Sequence, residues 1–100
     1  MKLTEPVYSV YWIRWELHND IYSEGYVGIS KNVPKRIKDH LKPSSKSKIS
    51  DVLRRYHLES IRVDVIVSDL TYSQALIIEE MLRPTGFIGW NVQKGGYVPH

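Results

Sequence analysis

Hydrophobic and polar positions divide this chain into segments of two periods. From Val7 to Glu16 the residues are aromatic and β-branched with a period of two, which predicts a strand. Val7, Ser9, Tyr11, Ile13 and Trp15 share one face, and Tyr8, Val10, Trp12 and Arg14 the other. Both faces are largely apolar, so the strand is expected to be central or covered on both sides. Leu17–Asp20 supplies turn chemistry, because Asn and Asp tolerate left-handed backbone. Ile21–Ser30 then returns as a second strand, completing a hairpin, with a bulge expected at Gly25 and close backbone approach at Gly28.

The period then lengthens. Asn32 is a natural N-cap and Pro34 is pre-set for a first helical turn, which places Val33, Ile37 and Leu41 on the core side and Arg36 and His40 on the adjacent stripe. Pro43 ends that helix and Pro43–Lys48 reads as an exposed loop. Ser47 caps a second helix with Ile49, Val52, Leu53 and Tyr56 on one side and His57 in its last turn. Ile61–Val67 alternates as a third strand. Thr71–Gln74 is a capping box opening a third helix to about Arg83, with Ala75, Ile78 and Leu82 buried. The tail from Phe87 to Gly96 reads as extended. The predicted order is β-β-α-α-β-α: an α+β fold in which a small antiparallel sheet of about three strands carries about three helices.

Bulk properties narrow the classes. One hundred residues predict a single domain over 1–100 with enough chain to bury a core. No apolar run nears a membrane span and no charged-then-apolar leader precedes the first strand, so no membrane partner is expected. The absence of cysteine excludes disulfides and thiolate metal sites and fits a cytoplasmic setting. Net charge is only +3, yet nine of the fourteen Lys and Arg lie between Lys31 and Arg55 against two acids, Asp39 and Asp51. That local excess suits a phosphate-facing surface, and equally a solvated helix pair.

Chemistry-bearing residues are few. Glu79 lies at the margin of the third helix's apolar side, where a carboxylate is costly to bury without a partner, whereas Glu80 points about 100° further round. Asn91 sits in an otherwise apolar stretch, where it either satisfies backbone groups or orients a ligand. There is no P-loop, GxGxxG, HExxH or nucleophile elbow.

Ser9-Val10-Tyr11 and Tyr26-Val27-Gly28 resemble the paired motifs of the GIY-YIG endonuclease superfamily. Arg36 and His40 match the arginine and histidine of that family's first helix. Glu79 follows Ala75-Leu76-Ile77-Ile78 as its glutamate follows an apolar run, and Asn91 with Gly95-Gly96 resembles the closing asparagine motif. The likeness spans roughly residues 7 to 96. Two departures stand: Ser9 replaces the first motif's glycine, and fourteen residues separate the motifs, a gap that a longer hairpin absorbs.

The resemblance implies a metal-dependent DNA endonuclease. Tyr11 would be the general base, Tyr26 and His40 would position water or relay the proton, Arg36 would brace the phosphate, and Glu79 would hold Mg²⁺, with Mn²⁺ as a substitute. A basic phenol needs its phenolate stabilised, by the metal and Arg36, because a free phenol titrates near 10. Gly28, Lys31, Lys35, Lys38 and Asn91 would contact substrate. Specificity would come from a homodimer, a partner protein or the shape of the DNA. Two other readings use the same residues: an inactive nucleic-acid-binding module holding phosphates through Lys35, Lys38, Lys42, Arg54 and Arg55, and an interaction protein using Trp12 and Trp15 as its surface.

Overall fold

The computed structural model describes residues 5–96. Strand β1 (Tyr8–Trp15) lies at the centre of a three-stranded antiparallel sheet, flanked by β2 (Tyr26–Ser30) and β3 (Ile61–Leu70). Helices α1 (Val33–Leu41), α2 (Lys48–Arg55) and α3 (Tyr72–Leu82) complete the order β-β-α-α-β-α, with a short 3-10 turn at Leu58–Ser60. This is the small α+β architecture that the hydrophobic pattern predicts. Among the described residues no helix is long and apolar enough to cross a membrane.

The two faces of β1 make two cores. Tyr8, Val10 and Trp12 pack with Val27 against Ala75 and Leu82 of α3. Tyr11 and Ile13 pack against Ile49 and Leu53 of α2, with Val33 and Ile37 of α1 alongside. Alternation along one strand therefore sorts the helices: α3 on one side, α1 and α2 on the other. Strand β3 is an edge strand, and its register against β1 shifts between Tyr8 and Tyr11. It runs to Leu70, three residues beyond the expected end at Val67.

Three expectations are corrected. The second strand begins at Tyr26, not Ile21, because Asp20 and Glu24 capture the intervening backbone. Asp20 accepts from the Tyr22 amide at 3.0 Å and the Ser23 hydroxyl at 2.7 Å, and Glu24 accepts from the Asn19 and Asp20 amides at 3.0 and 2.9 Å. Gly25 closes that turn at φ 71° and is not a bulge; a Cβ there would meet the Ile13 carbonyl and the Trp12 indole at 2.4 Å. On α1 the buried residue is His40, at 3% exposure, while Leu41 is 38% exposed. His40 packs against the sheet with the Tyr11 hydroxyl as its hydrogen-bonding partner, while Val33 and Ile37 keep the core contacts and Leu41 lies at the surface.

The tail also departs from an extended strand. It folds back through Phe87 and Gly89, both at positive φ, and its amides at Trp90 and Gly95 donate to Gly25 and Arg83 carbonyls at 2.9 and 2.7 Å. Arg83 holds this arrangement. Its fully buried guanidinium donates to Asn91 Oδ1 at 2.8 Å and to the carbonyls of Ile21, Leu82, Glu24 and Gly25 at 2.6, 2.8, 2.9 and 3.2 Å. Asn91 in turn exchanges both amide bonds with Val27, at 2.9 and 3.0 Å, continuing the β2 edge as a strand would. Arg83→Met removes all five of these bonds, taking the guanidinium from the Ile21 and Leu82 carbonyls, and is expected to destabilise the fold by about 3 kcal/mol. Urea denaturation measures this, and a loss below about 1 kcal/mol would refute the hub.

Candidate active site

Strand pairing places the aromatic hydroxyls. Tyr11 is opposite Gly28 and Tyr26 opposite Ile13, so both tyrosines project to the α1–α2 face with ring centroids 6.2 Å apart. Gly28 leaves the space that the Tyr11 phenol fills: a Cβ there would lie 2.5 Å from the hydroxyl oxygen. Helix α1 begins where Asn32 accepts the Lys35 amide at 3.1 Å, and one turn later it presents Arg36 and His40 to these rings. The Tyr11 hydroxyl and His40 Nε2 are 3.2 Å apart, and His40 sits edge-on to Tyr26 at 5.5 Å.

Tyr26, Arg36, His40 and Glu79 line one cleft of about 430 Å³, with Ser47, Lys48, Ile49 and residues of the tail. Glu79 enters from α3, although that helix packs on the opposite face of the sheet. Its Oε1 accepts the Gly96 amide at 3.0 Å, and Gly95 lies so close that a Cβ there would meet the Glu79 carbonyl at 2.4 Å. Tyr11 is 1% exposed and stands behind Tyr26 and His40.

Electrostatics couples these groups. Burial raises the Tyr11 pKa well above the ordinary phenol value, the neighbouring Tyr26 adds to this, and Arg36 opposes it. Burial raises Tyr26 as well, with Arg36 again opposing. The charge on Glu79 adds to the rise at both phenols. His40 is pushed down to about 4 by burial and by Arg36, and is therefore a neutral imidazole at pH 7. Burial raises Glu79, offset by the Gly96 hydrogen bond. No ion pair to Glu79 exists among the described residues, so its half-buried carboxylate faces the cleft without a compensating cation. No group of three or more His, Cys, Asp or Glu that could hold a metal occurs among them either. Glu79 is thus the single carboxylate among the described residues that the cleft offers to a cation.

The remaining residues distribute unevenly. Lys31 and Lys35 line a second recess of about 360 Å³ that shares Arg36 with the cleft; Lys38 lines neither. Lys35 and Lys42 bracket Asp39 at 3.2 and 3.1 Å, and Arg54 and Arg55 reach Asp51 at 3.4 and 3.5 Å, so part of the basic segment is internally paired. Asn91 lies at the cleft, but its amide is committed to Val27 and Arg83. Gly28 is buried beneath Tyr11 and lines neither recess. His57 lies beyond the end of α2 and outside both. Sequence reasoning did not single out Lys48, Trp90 or Lys94 as cleft residues, or Arg83 as a hub. A helix-end arginine ordinarily reads as a solvated cation at the negative end of the dipole.

This is a class of site in which a phenol, a neutral imidazole, a guanidinium and one unpaired carboxylate share a cleft on a three-stranded sheet, with a second phenol buried behind the imidazole. The chain belongs to the GIY-YIG catalytic domain family, whose model matches residues 7–83, and with it to a family of nucleases. None of the curated proteins matches the chain, and no solved structure does.

Unfolded histidine takes up a proton near pH 6.5, whereas folded His40 refuses one until about 4. The unfolded state thus binds more protons across that window, and stability falls as the pH drops from about 6.5 to about 4. Glu79, raised by burial, works in the opposite direction, so the comparison must be with His40→Gln. Thermal unfolding across pH 4–7 is expected to show a steeper loss for the wild type than for the variant; equal slopes would rule out a buried neutral His40.

Proposed function

We propose that this chain is a DNA endonuclease that hydrolyses one P–O ester bond per turnover. The observation that carries the reading is that Tyr26, Arg36, His40 and Glu79, drawn from β2, α1 and α3, line one cleft, with Tyr11 of β1 hydrogen-bonded to His40 behind them. Hydrolysis requires a deprotonated water, neutralisation of charge on the phosphate and help for the departing oxygen.

Arg36 lies on the wall shared by the cleft and the Lys31–Lys35 recess, so a strand crossing from one to the other passes its guanidinium. The planar fork of that group pairs with two phosphate oxygens and stabilises the charge that grows there. The base is the Tyr11–His40 pair. Burial makes a free Tyr11 phenolate costly, so the phenol does not act alone. The neutral imidazole accepts the phenolic proton at Nε2 when the ring proton is on Nδ1. As it does so Tyr11 Oη takes a proton from water, the resulting hydroxide attacks phosphorus, the ester P–O bond breaks, and the departing oxygen is protonated through solvent as His40 gives its proton back. Up to the attack the net transfer is one proton from water to His40, and the positive imidazolium is stabilised by the phosphate now beside it. Tyr26 holds the attacking water against Tyr11. Glu79 would hold Mg²⁺, or Mn²⁺ in its place, which when bound supplies charge neutralisation at the phosphate and at the leaving oxygen. Lys31 and Lys35 hold the strand in the second recess, and Asn91 keeps the cleft wall in place.

A supercoiled-plasmid assay tests this reading. With Mg²⁺ the protein is expected to nick the plasmid, with rates reduced at least about 100-fold in Glu79→Gln and by about 10² to 10³ in Arg36→Ala. Chelation with EDTA is expected to stop the reaction and Mn²⁺ to restore it. No nicking, or equal nicking by Glu79→Gln, would defeat the assignment.

A further inference from the structure

Trp90 is the apolar wall of the cleft that the proposed hydrolysis leaves unused. It is half-buried and faces the same space as Arg36 and Glu79. Its ring is backed by His18 at 5.1 Å and Tyr56 at 5.4 Å, and Trp15 stands behind both, at 5.9 and 6.5 Å. The backbone of Trp90 is fixed as well: its amide donates to Gly25 at 2.9 Å, and the next residue, Asn91, is bonded to Val27 and Arg83. A large aromatic immobilised in advance at a cleft wall loses little entropy on accepting a flat ligand.

The cations of the cleft complete the arrangement. Arg36, Lys48 and Lys94 line it, and among the described residues none of the three is paired with a carboxylate, unlike Lys35, Lys42, Arg54 and Arg55. Unpaired cations around an aromatic wall are what a nucleotide meets in single-strand grooves, where bases stack and the backbone is held by charge. Size narrows the choice further. A space of about 430 Å³ has room for one nucleotide.

We infer that the cleft takes an unpaired nucleotide of a single-stranded DNA segment, its base stacked on Trp90 and its flanking phosphates held by Lys48 and Lys94. The inference rests on the nuclease reading for the nature of the ligand. It adds the substrate class: single-stranded rather than fully paired DNA. Stacking on a π-face is tolerant of base identity, so little sequence preference accompanies it.

The experiment has two arms. In the first, wild-type protein with Mg²⁺ is given a labelled 20-nucleotide oligothymidylate (about two turns if it were duplex) or the same strand annealed to oligoadenylate, and cleavage is timed. The single strand is expected to be cut at least about tenfold faster; equal or faster cutting of the duplex overturns the inference, including any version in which a base is flipped out of paired DNA. In the second, anisotropy measures metal-free binding of the same labelled strand, intact or abasic throughout, in a Glu79→Gln background. Trp90→Leu is expected to weaken binding of the intact strand about tenfold and to leave the abasic strand unchanged, while Trp90→Phe retains most of the affinity. Lys94→Ala is expected to reduce the salt dependence by about one ion, which Trp90→Leu does not. Thermal unfolding of each variant separates loss of stacking from loss of fold, and the wild-type comparison needs no variant at all. Equal weakening of intact and abasic strands, or none, overturns the role of Trp90. Single-strand preference in binding without any cleavage would sink the nuclease reading and leave the stacking site standing; Glu79-dependent cutting of both substrates at equal rates would do the reverse.

Discussion

The buried guanidinium of Arg83 is the constraint on which the rest of this structure depends. It bonds the end of α3, the turn before β2 and the returning tail to one another, through carbonyls at Ile21, Leu82, Glu24 and Gly25 and the side chain of Asn91. A cation in that position is costly to desolvate, and burial lowers its pKa while Asp20 opposes the change. Five acceptors offset the cost, and geometry follows from them. With the tail held, Trp90 stands against His18 and Tyr56, and Gly95 and Gly96 are pressed onto Glu79. The wall of the cleft is thus fixed by a residue outside it.

Within the cleft the dominant effect is desolvation. It pushes both phenols and the Glu79 carboxyl up and the His40 imidazole down, each toward its neutral form. Arg36 is the counterweight for the phenols and adds to the depression of His40. A site with this balance repels isolated charge, which in the proposed reaction is met by a phosphate at Arg36 and a divalent ion at Glu79. The same balance bears on the role proposed for Tyr11. A lone phenolate there would have to overcome burial and the proximity of Tyr26.

The elements were legible where local physics decides them. Alternation marked β1 as doubly covered, and its two faces do make two cores. The Asn32 and Thr71 caps opened α1 and α3 where expected, the latter with both bonds of its capping box. Local pattern failed where side chains competed for the backbone or where the partner lay far along the chain. Ile21–Gly25 looked like strand, but Asp20 and Glu24 took its backbone into a turn. Leu41 looked like core on its helix, but the buried place at that end is taken by His40 against Tyr11. Phe87–Gly96 looked extended, but its bonding partners lie on Gly25, Val27 and Arg83, which no window of the tail contains.

By itself, the order of residues determined which side chains share a strand face or a helix stripe, because periods of 2 and 3.6 are properties of a few consecutive residues. That is enough to place Tyr11 with Ile13, Arg36 with His40, and Glu79 at the margin of an apolar helix. Only the tertiary structure decided that these pieces meet: that Glu79 reaches the cleft from a helix on the other face of the sheet, that Trp90 forms its wall, and that Lys48 and Lys94 face into it while Lys35 and Lys42 are held by Asp39. Burial and charge pairing depend on distances between residues far apart in the chain, and those distances are set only when the sheet, the helices and the Arg83 hub close together.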